Sequence, residues 1–409
     1  MHILFLTDNF PPEVNAPASR TFEHCREWVK AGEKVTVITC APNFPKGKVF
    51  PGYQNKLWQV EEMDGIRVIR IWTYITANSG FLRRTLDYIS FMVSAIIASC
   101  FVRKTDVIIG TSPQFFTVCA AYVVSIFKRR PWVFELRDIW PESIKAVGAM
   151  KDSTATRMLE KIELFLYRKA TKIISVTHAF KANLIARGID GSKISVVTNG
   201  VDLTSYSQRP KDAELVDKHK LQDKFVAGYI GTHGLAHGLQ TLIEAGHILQ
   251  QSPQGDDISI VLLGDGAVKH ELIEQARIRK INNVLFLDSV AKQEVVRYWS
   301  LLDTSIIHLK KTPLFQSVIP SKLFECMAMG IPVLHGVAGE SADIVNKEQV
   351  GLVFESDNAQ ELANLLIQLR NDVAQLNTLQ TNAVAAAPKY DRKNLAMEML
   401  GCLKEVKRQ

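Results

Sequence analysis

The sequence predicts an α/β protein built of two doubly wound domains in series, each a parallel sheet with helices on both faces. Three observations carry this. Short apolar runs alternate with amphipathic segments through the first half, the sign of strand–helix units feeding a parallel sheet. The alternation restarts after Asn199-Gly200-Val201-Asp202, beyond a polar stretch from Ser205 to Asp223. The chain has 409 residues, against roughly 100–200 per domain. The expected division is 1–203 and 204–392, with a last helix, 393–409, completing the first domain. Two such domains facing one another make a central cleft, with ligands beyond the C-terminal ends of the strands.

Each element has its local reason. Ile3-Leu4-Phe5-Leu6-Thr7 reads as a buried strand, ended by the proline-rich loop Phe10 to Pro17. Helical periodicity runs from Ala18 to Ala31 and stops at Gly32. Further strands are expected at 34–39, 66–71, 107–109, 132–135, 172–176 and 194–197. In the second half they are expected at 225–230, 258–263, 284–287, 304–309 and 332–334. Helical segments lie between most of them. The final helix, about Lys393 to Val406, follows Pro388 and stands outside the second series.

An apolar fraction of 47% and a charged fraction of 22% exclude a disordered, collagenous or coiled-coil chain. The six cysteines are scattered with no CxxC pair, so neither a zinc site nor a disulfide framework is expected. The first residues already read as strand, so no leader is expected and a reducing cytoplasm is the default. The net charge of +7 is uneven: residues 1–205 hold 27 Lys and Arg against 18 Asp and Glu, and the remainder 22 against 24. A basic half of this kind meets nucleic acid, anionic lipid or a phosphorylated acceptor, or is simply a solvated basic face. Two uncharged apolar stretches, Tyr88 to Val102 and Pro113 to Phe127, have 15 residues each, short of the roughly 20 that span a bilayer. Residues 81–104, with Arg83, Arg84, Arg103 and Lys104 around an apolar body, read either as a core helix or as a helix lying on a membrane, with Phe91, Met92 and Ile96 inserted.

Several strand ends carry candidate chemistry. Gly231-Thr232-His233-Gly234-Leu235-Ala236-His237-Gly238 is a glycine-rich loop opening a helix, where free N–H groups attract phosphate. His233 and His237 are either donors to phosphate oxygens or ordinary loop histidines. Gly264-Asp265-Gly266 repeats the pattern, so Asp265 is expected on the same rim. Pro320-Ser321-Lys322-Leu323-Phe324-Glu325 starts a helix with a cap-type serine and a lysine at the positive end of the dipole, an unfavourable placement unless an anion sits there. Glu325, one turn on, can reach a pair of ribose hydroxyls. Lys310 and Lys311 add cations after another strand. In the first half Arg137 and Asp138 sit together before Trp140-Pro141-Glu142, and require each other or a polar ligand.

Taken in order, Asn199-Gly200-Val201-Asp202, Leu263-Gly264-Asp265-Gly266 and Pro320 to Glu325 with Ala328-Met329-Gly330-Ile331-Pro332-Val333 resemble the GT-B glycosyltransferases of the large family 4, over nearly the whole chain. Phe10 to Glu13, Ala41 to Pro45 and Arg137 to Glu142 look like bacterial O-antigen and capsule enzymes that transfer an N-acetyl-fucosamine-type sugar. The resemblance implies two Rossmann-like domains, with a nucleotide-sugar donor held mainly by the second. Glu325 matches the second glutamate of the family's paired-glutamate motif; where the first would stand, this chain has Ser317. The family's Arg and Lys pair on the diphosphate falls where His233 and His237 stand, and we expect Lys322, Lys311 or both to compensate. Gly231, Ser321, Leu323 and Asp265 complete the implied donor set, with Lys322 and the N–H groups of Lys322 and Leu323 on the departing diphosphate. Arg137 and Asp138 are expected beside the acceptor hydroxyl, and Glu13, Asn15 and Glu142 on the acceptor side. The family's glycine-rich loop after the first strand is replaced here by Glu13-Val14-Asn15-Ala16-Pro17.

The resemblance further implies a UDP-sugar donor, a lipid-linked saccharide acceptor, retention of anomeric configuration, no metal or other cofactor, no nucleic acid partner, and a cytoplasmic enzyme held peripherally on the inner face of the plasma membrane. Two other readings remain: a sugar-nucleotide epimerase of the same fold, and a non-catalytic sugar-nucleotide-binding module.

Overall fold

The computed structural model describes residues 1–44, 46–76, 81–140 and 154–408. Its contacts divide the chain into two units, Met1–Asn199 with Arg392–Gln409, and Gly200–Asp391.

The first unit carries an eight-stranded sheet. Its strands are β1 (His2–Leu6), β2 (Lys34–Cys40), β3 (Trp58–Met63), β4 (Ile66–Ile71), β5 (Val107–Thr111), β6 (Trp132–Leu136), β7 (Lys172–Ser175) and β8 (Ile194–Val196). They lie in the order β3-β4-β2-β1-β5-β6-β7-β8. Helices α1 (Ala16–Lys30), α2 (Phe81–Cys100), α3 (Phe115–Lys128), α4 (Thr154–Lys169) and α5 (His178–Ala186) lie between them in the chain. β1 is buried along its whole length because it is central and covered on both faces, the setting that makes a parallel strand read as a continuous apolar run. The chain leaves β1 to one side through β2 and returns to its other side as β5, which makes this gap the switch point where such sheets bind ligands.

β3 was not expected from the sequence. It is the one antiparallel strand of the sheet, paired with β4, and its residues alternate between exposed and half-buried, so it lacks the apolar run that reveals its neighbours. The turn before β4 is Asp64-Gly65, with φ of 50° and 77°, the pair of left-handed residues that a tight hairpin requires. The C-terminal helix, Arg392–Arg408, packs on the same unit: Trp28 Nε1 donates to the Ala396 carbonyl at 2.7 Å. Leu395, Met399, Leu400 and Leu403 share a core with Ile3, Phe5 and Val35.

The second unit has a six-stranded, wholly parallel sheet of β9 (Phe225–Ile230), β10 (Ile258–Leu263), β11 (Val284–Leu287), β12 (Thr304–His308), β13 (Val333–Gly336) and β14 (Gly351–Val353), in the order β11-β10-β9-β12-β13-β14. Its α-helices are α6 (Ala213–Lys218), α7 (Gln240–Gln250), α8 (Lys269–Ile278), α9 (Lys292–Trp299), α10 (Lys322–Met329), α11 (Glu340–Glu348), α12 (Ala359–Asn371) and α13 (Val373–Ala386). Both faces are buried: Val226, Ile230, Val261 and Leu263 join one core, while Ala227, Tyr229, Ile260 and Leu262 join the other. That two-residue alternation is the pleat itself. The order reverses at β9, between β10 and β12, and the glycine-rich loop leaves the end of β9.

Candidate functional site

In the second unit the loops after β9 and β10 lie backbone on backbone. Gly231 N donates to the Leu263 carbonyl and His233 N to that of Asp265, both at 2.9 Å, and Val268 N returns a bond to the His233 carbonyl. A Cβ at Gly264 would stand 1.9 Å from Gly231 O, and one at Gly266 2.4 Å from His233 O. The glycines of Leu263-Gly264-Asp265-Gly266 are therefore demanded by close approach. Asp265 itself accepts from Gly266 N at 2.8 Å, a local turn.

Lys322 opens α10 and reaches back to these loops. Its amine lies 3.6 Å from the centre of the Tyr229 ring and 2.9 Å from the point a Gly231 Cβ would occupy. The bare Cα of Gly231 thus leaves the space the amine fills. Among the described residues this amine has no hydrogen bond and no ion pair. Burial pulls its pKa down to about 8, with Cys326 and Glu325 opposing in part. The other lysines nearby differ. Lys269 Nζ donates to Gly264 O, Leu287 O and Asp288. Lys311, expected as a compensating cation, is exposed and donates to Glu355 at 2.6 Å. Lys310, whose N–H donates to the Ala236 carbonyl at 2.9 Å, has an exposed side chain, and Lys322 is the lysine whose amine packs against the loop itself.

His233 is fully buried, and neither ring nitrogen has a partner. Burial first, then Lys269 and Lys322, lower its pKa to about 4. His237 is likewise brought to about 4 by burial and Lys322, and its carbonyl accepts from His308 Nδ1 at 2.8 Å. Both imidazoles are neutral at pH 7, so neither supplies the charge of an Arg–Lys pair. Ser317 lies in a short turn, Leu314–Ser317, and its hydroxyl donates to the Leu314 carbonyl at 2.6 Å. Ser321 takes the cap position in a helical conformation and its hydroxyl makes no cap bond. The Leu323 amide, expected to be free for a diphosphate, donates to Pro320 O at 3.1 Å, because the turn into α10 is already tight. Glu325 is half-buried in the first turn of α10.

In the first unit, Arg137 and Asp138 follow β6 and their amides share the Ser112 hydroxyl as acceptor, at 2.8 and 3.2 Å. Arg137 Nη1 donates to Pro17 O, and burial, opposed by Glu135, brings its pKa to about 10. Asn15 caps α1 by accepting from Ala18 N at 2.9 Å. Glu13 is buried, with Oε1 accepting from Asn43 N and Phe44 N at 2.8 and 2.9 Å. Glu142 lies outside the described residues. Asp8, Thr73, Asp87 and Gln114, which line a cavity together with Glu13, were not singled out from the sequence. They come from separate segments and no spacing links them. Among the described residues no three His, Cys, Asp or Glu side chains group as a metal-ligand set.

Known proteins share this fold. Residues 18–205 match the family model described as Glycosyltransferase Family 4, and residues 211–386 that of Glycosyl transferases group 1. The chain belongs to the GT-B glycosyltransferases. This GT-B chain is 24% identical over 226 residues to a Bacillus subtilis (strain 168) protein named for teichuronic acid biosynthesis, the glycosyltransferase TuaH, covering 54% of this chain and 53% of the relative. It is 21% identical over 232 residues to the capsular polysaccharide biosynthesis glycosyltransferase CapM of Staphylococcus aureus, covering 55% and 58%. The matched stretches thus span about half the length of these relatives. The structure of Anabaena HepE in complex with UDP-glucose superposes with a TM-score of 0.74 at 19% identity, over 99% of this chain and all of that one. At that identity the likeness establishes the shared GT-B fold.

Proposed function

We propose that the chain transfers a sugar from a UDP-sugar to a hydroxyl of a lipid-linked saccharide in the synthesis of a bacterial surface polysaccharide, with retention of configuration and without a metal. The observation that carries this is the unpaired amine of Lys322, held against Gly231 at the head of α10. Charge builds on the departing diphosphate as its bond to the sugar breaks, and preorganised cations aimed at it lower the barrier. The names of TuaH and CapM, both polysaccharide biosynthesis glycosyltransferases, support the product class. An N-acetylated 6-deoxyhexose of the fucosamine type is our first choice of donor sugar, on the likeness of Phe10 to Glu13, Ala41 to Pro45 and Arg137 to Glu142 to O-antigen and capsule enzymes. The test is a panel of UDP-, GDP- and dTDP-sugars, assayed for nucleotide release with bacterial membranes as the acceptor source and EDTA present. UDP release that needs both a UDP-sugar and membranes is expected. Affinity for sugar nucleotides with no release under any condition would leave a binding module instead, and a new sugar formed without acceptor would mark an epimerase.

We further propose peripheral attachment to the inner face of the plasma membrane. No helix among the described residues is long and apolar enough to cross a membrane. The outer face of α2 exposes Leu86, Ile89, Val93 and Ile97, with Phe101 just beyond. Phe101 meets Trp58 edge-on at 5.8 Å. Arg103, Lys104, Arg129 and Arg130 are exposed near the ends of α2 and α3. Of the three residues the sequence suggested for insertion, Met92 and Ile96 are half-buried, while Phe91 is 1% exposed and packs inward, one turn from the buried Ala95 and two from the buried Ala98. The protein is expected to float with phosphatidylglycerol vesicles. Ile97→Glu with Phe101→Glu should weaken that partition by at least about tenfold, given roughly 1.5–3 kcal/mol per apolar side chain withdrawn from water. Unchanged flotation would remove the membrane from the proposal.

A further inference from the structure

A cavity of about 350 Å³ opens at the C-terminal edge of the first unit's sheet, in the low part of the range for small-molecule sites, roughly 300–1,000 Å³. Its walls come from the loops after β1, β2, β4, β5 and β6 and from α2, around the switch point beside β1. Three of the side chains lining it hold a buried polar atom with no partner: Glu13 Oε2, Thr73 Oγ1 and Gln114 Nε2. These residues are 4%, 2% and 3% exposed. Two of these side chains are held from swinging away. Glu13 is fixed by the Asn43 and Phe44 amides on its other oxygen. Gln114 is fixed by the Thr117 amide and hydroxyl on its own oxygen. The backbone of Thr73 is fixed by Asn55, which bonds both its N–H and its carbonyl. An orphaned buried polar atom costs about 1–3 kcal/mol, and three around one cavity are a set awaiting hydroxyl groups.

The charge of the walls narrows the ligand. Among the described residues, Asp8, Glu13, Asp87 and Asp138 line the cavity against a single lining cation, Arg84, which is itself bonded to the Tyr88 hydroxyl. Arg70 acts on Glu13 from nearby, but its guanidinium is bonded to Glu61 and to the Cys40 and Pro11 carbonyls. Cys40 and Tyr88, the other titratable lining groups, are pushed up by burial and stay neutral. We propose that this cavity binds a saccharide ring rich in hydroxyls and free of acidic groups, and that it thereby selects an acceptor whose terminal sugar is uncharged. The word acceptor rests on the transferase reading above; the binding does not. Burial, with Asp8 as a neighbouring charge, holds both Glu13 and Asp87 at about 7, and burial raises Asp8 as well. The cavity therefore gains negative charge between pH 6 and 8, and its exclusion of anions grows with pH.

Methyl β-D-glucopyranoside and methyl β-D-glucuronide differ only at C6 and serve as probes. Each is titrated into the full chain without nucleotide and followed by saturation-transfer NMR. The glucoside is expected to saturate, and the glucuronide to bind at least about tenfold more weakly at pH 8, about 1.4 kcal/mol, with the gap narrowing at pH 6. Asp87→Asn should narrow it at pH 8, and Asp8→Asn carries the same test should the first variant fail to fold. Equal affinities, no saturable binding of either probe, or a gap unchanged by pH and by the folded variant would overturn the proposal. UDP release in the donor panel with neither glycoside bound would remove this inference and leave the transferase. A bound glucoside in a chain with no affinity for sugar nucleotides would do the reverse.

Discussion

Lys322→Ala is expected to lower turnover by roughly 10²–10³, the loss seen when one preorganised charge-stabilising contact is removed. A lysine held for stability has a carboxylate or carbonyl partner, as Lys269 does. Lys322 has the face of Tyr229 and a helix whose dipole is positive at that end. Burial depresses its pKa to about 8, so the folded protein favours the neutral amine more than the unfolded chain does. The sign follows: below about pH 8 the charged amine costs stability, and that cost fades as pH rises towards the ordinary lysine range. Lys322→Met is therefore expected to leave the melting temperature of the ligand-free protein equal or higher at pH 7, while abolishing most of the turnover. Affinity for a UDP-sugar should fall as pH rises through about 8, when the free amine loses its proton. Near-normal turnover in the alanine variant, or a melting temperature well below wild type in the methionine variant, would assign Lys322 to the scaffold.

The sequence was most legible where burial is complete. The strands expected at 225–230, 258–263 and 284–287 coincide with β9, β10 and β11, since a parallel strand covered on both faces must be apolar at every position. β3 and β14 escaped. One is half-exposed and polar on alternate residues, and the other has three residues, so neither leaves a pattern longer than chance. At the site, residue types were readable but their states were not. His233 reads as a donor to phosphate until its burial is known; inside the loop it is neutral. Leu323 shows the same limit for backbone, because the partner of its amide depends on how tightly Pro320 turns. Glu13, Asn15 and Asp138, expected on the acceptor side, line the cavity beside β1, but its other walls were out of reach, being assembled from six chain segments by the topology.

Removing Arg20 is expected to destabilise the first unit by about 3–5 kcal/mol, the range for breaking one side of a buried ion pair. Arg20 is 2% exposed. It leaves α1 and donates Nε to Glu135 at 3.0 Å, Nη1 to Thr198 O and Asn199, and Nη2 to Val197 O. One planar group thereby joins α1, the end of β6 and the segment after β8. Burial works to raise the Glu135 pKa, but Arg20 and Arg137 together hold it below the ordinary carboxylate range. The ionised pair accordingly supports the fold at neutral pH, and the support is lost as pH falls below that range. Arg20→Met removes the donors and leaves Glu135 charged, buried and beside a second oxygen that already lacks a partner. Five of the six tryptophans, Trp28, Trp58, Trp72, Trp132 and Trp140, belong to the first unit, so urea unfolding followed by tryptophan fluorescence reads mainly the affected half. Arg20→Lys should recover only part of the loss, because an ammonium cannot reproduce the planar fork that reaches Glu135 and three other acceptors at once. A midpoint within experimental error of wild type for Arg20→Met would mean that the strand ends hold together without this residue, and that the charge it neutralises is relieved by Arg137 alone.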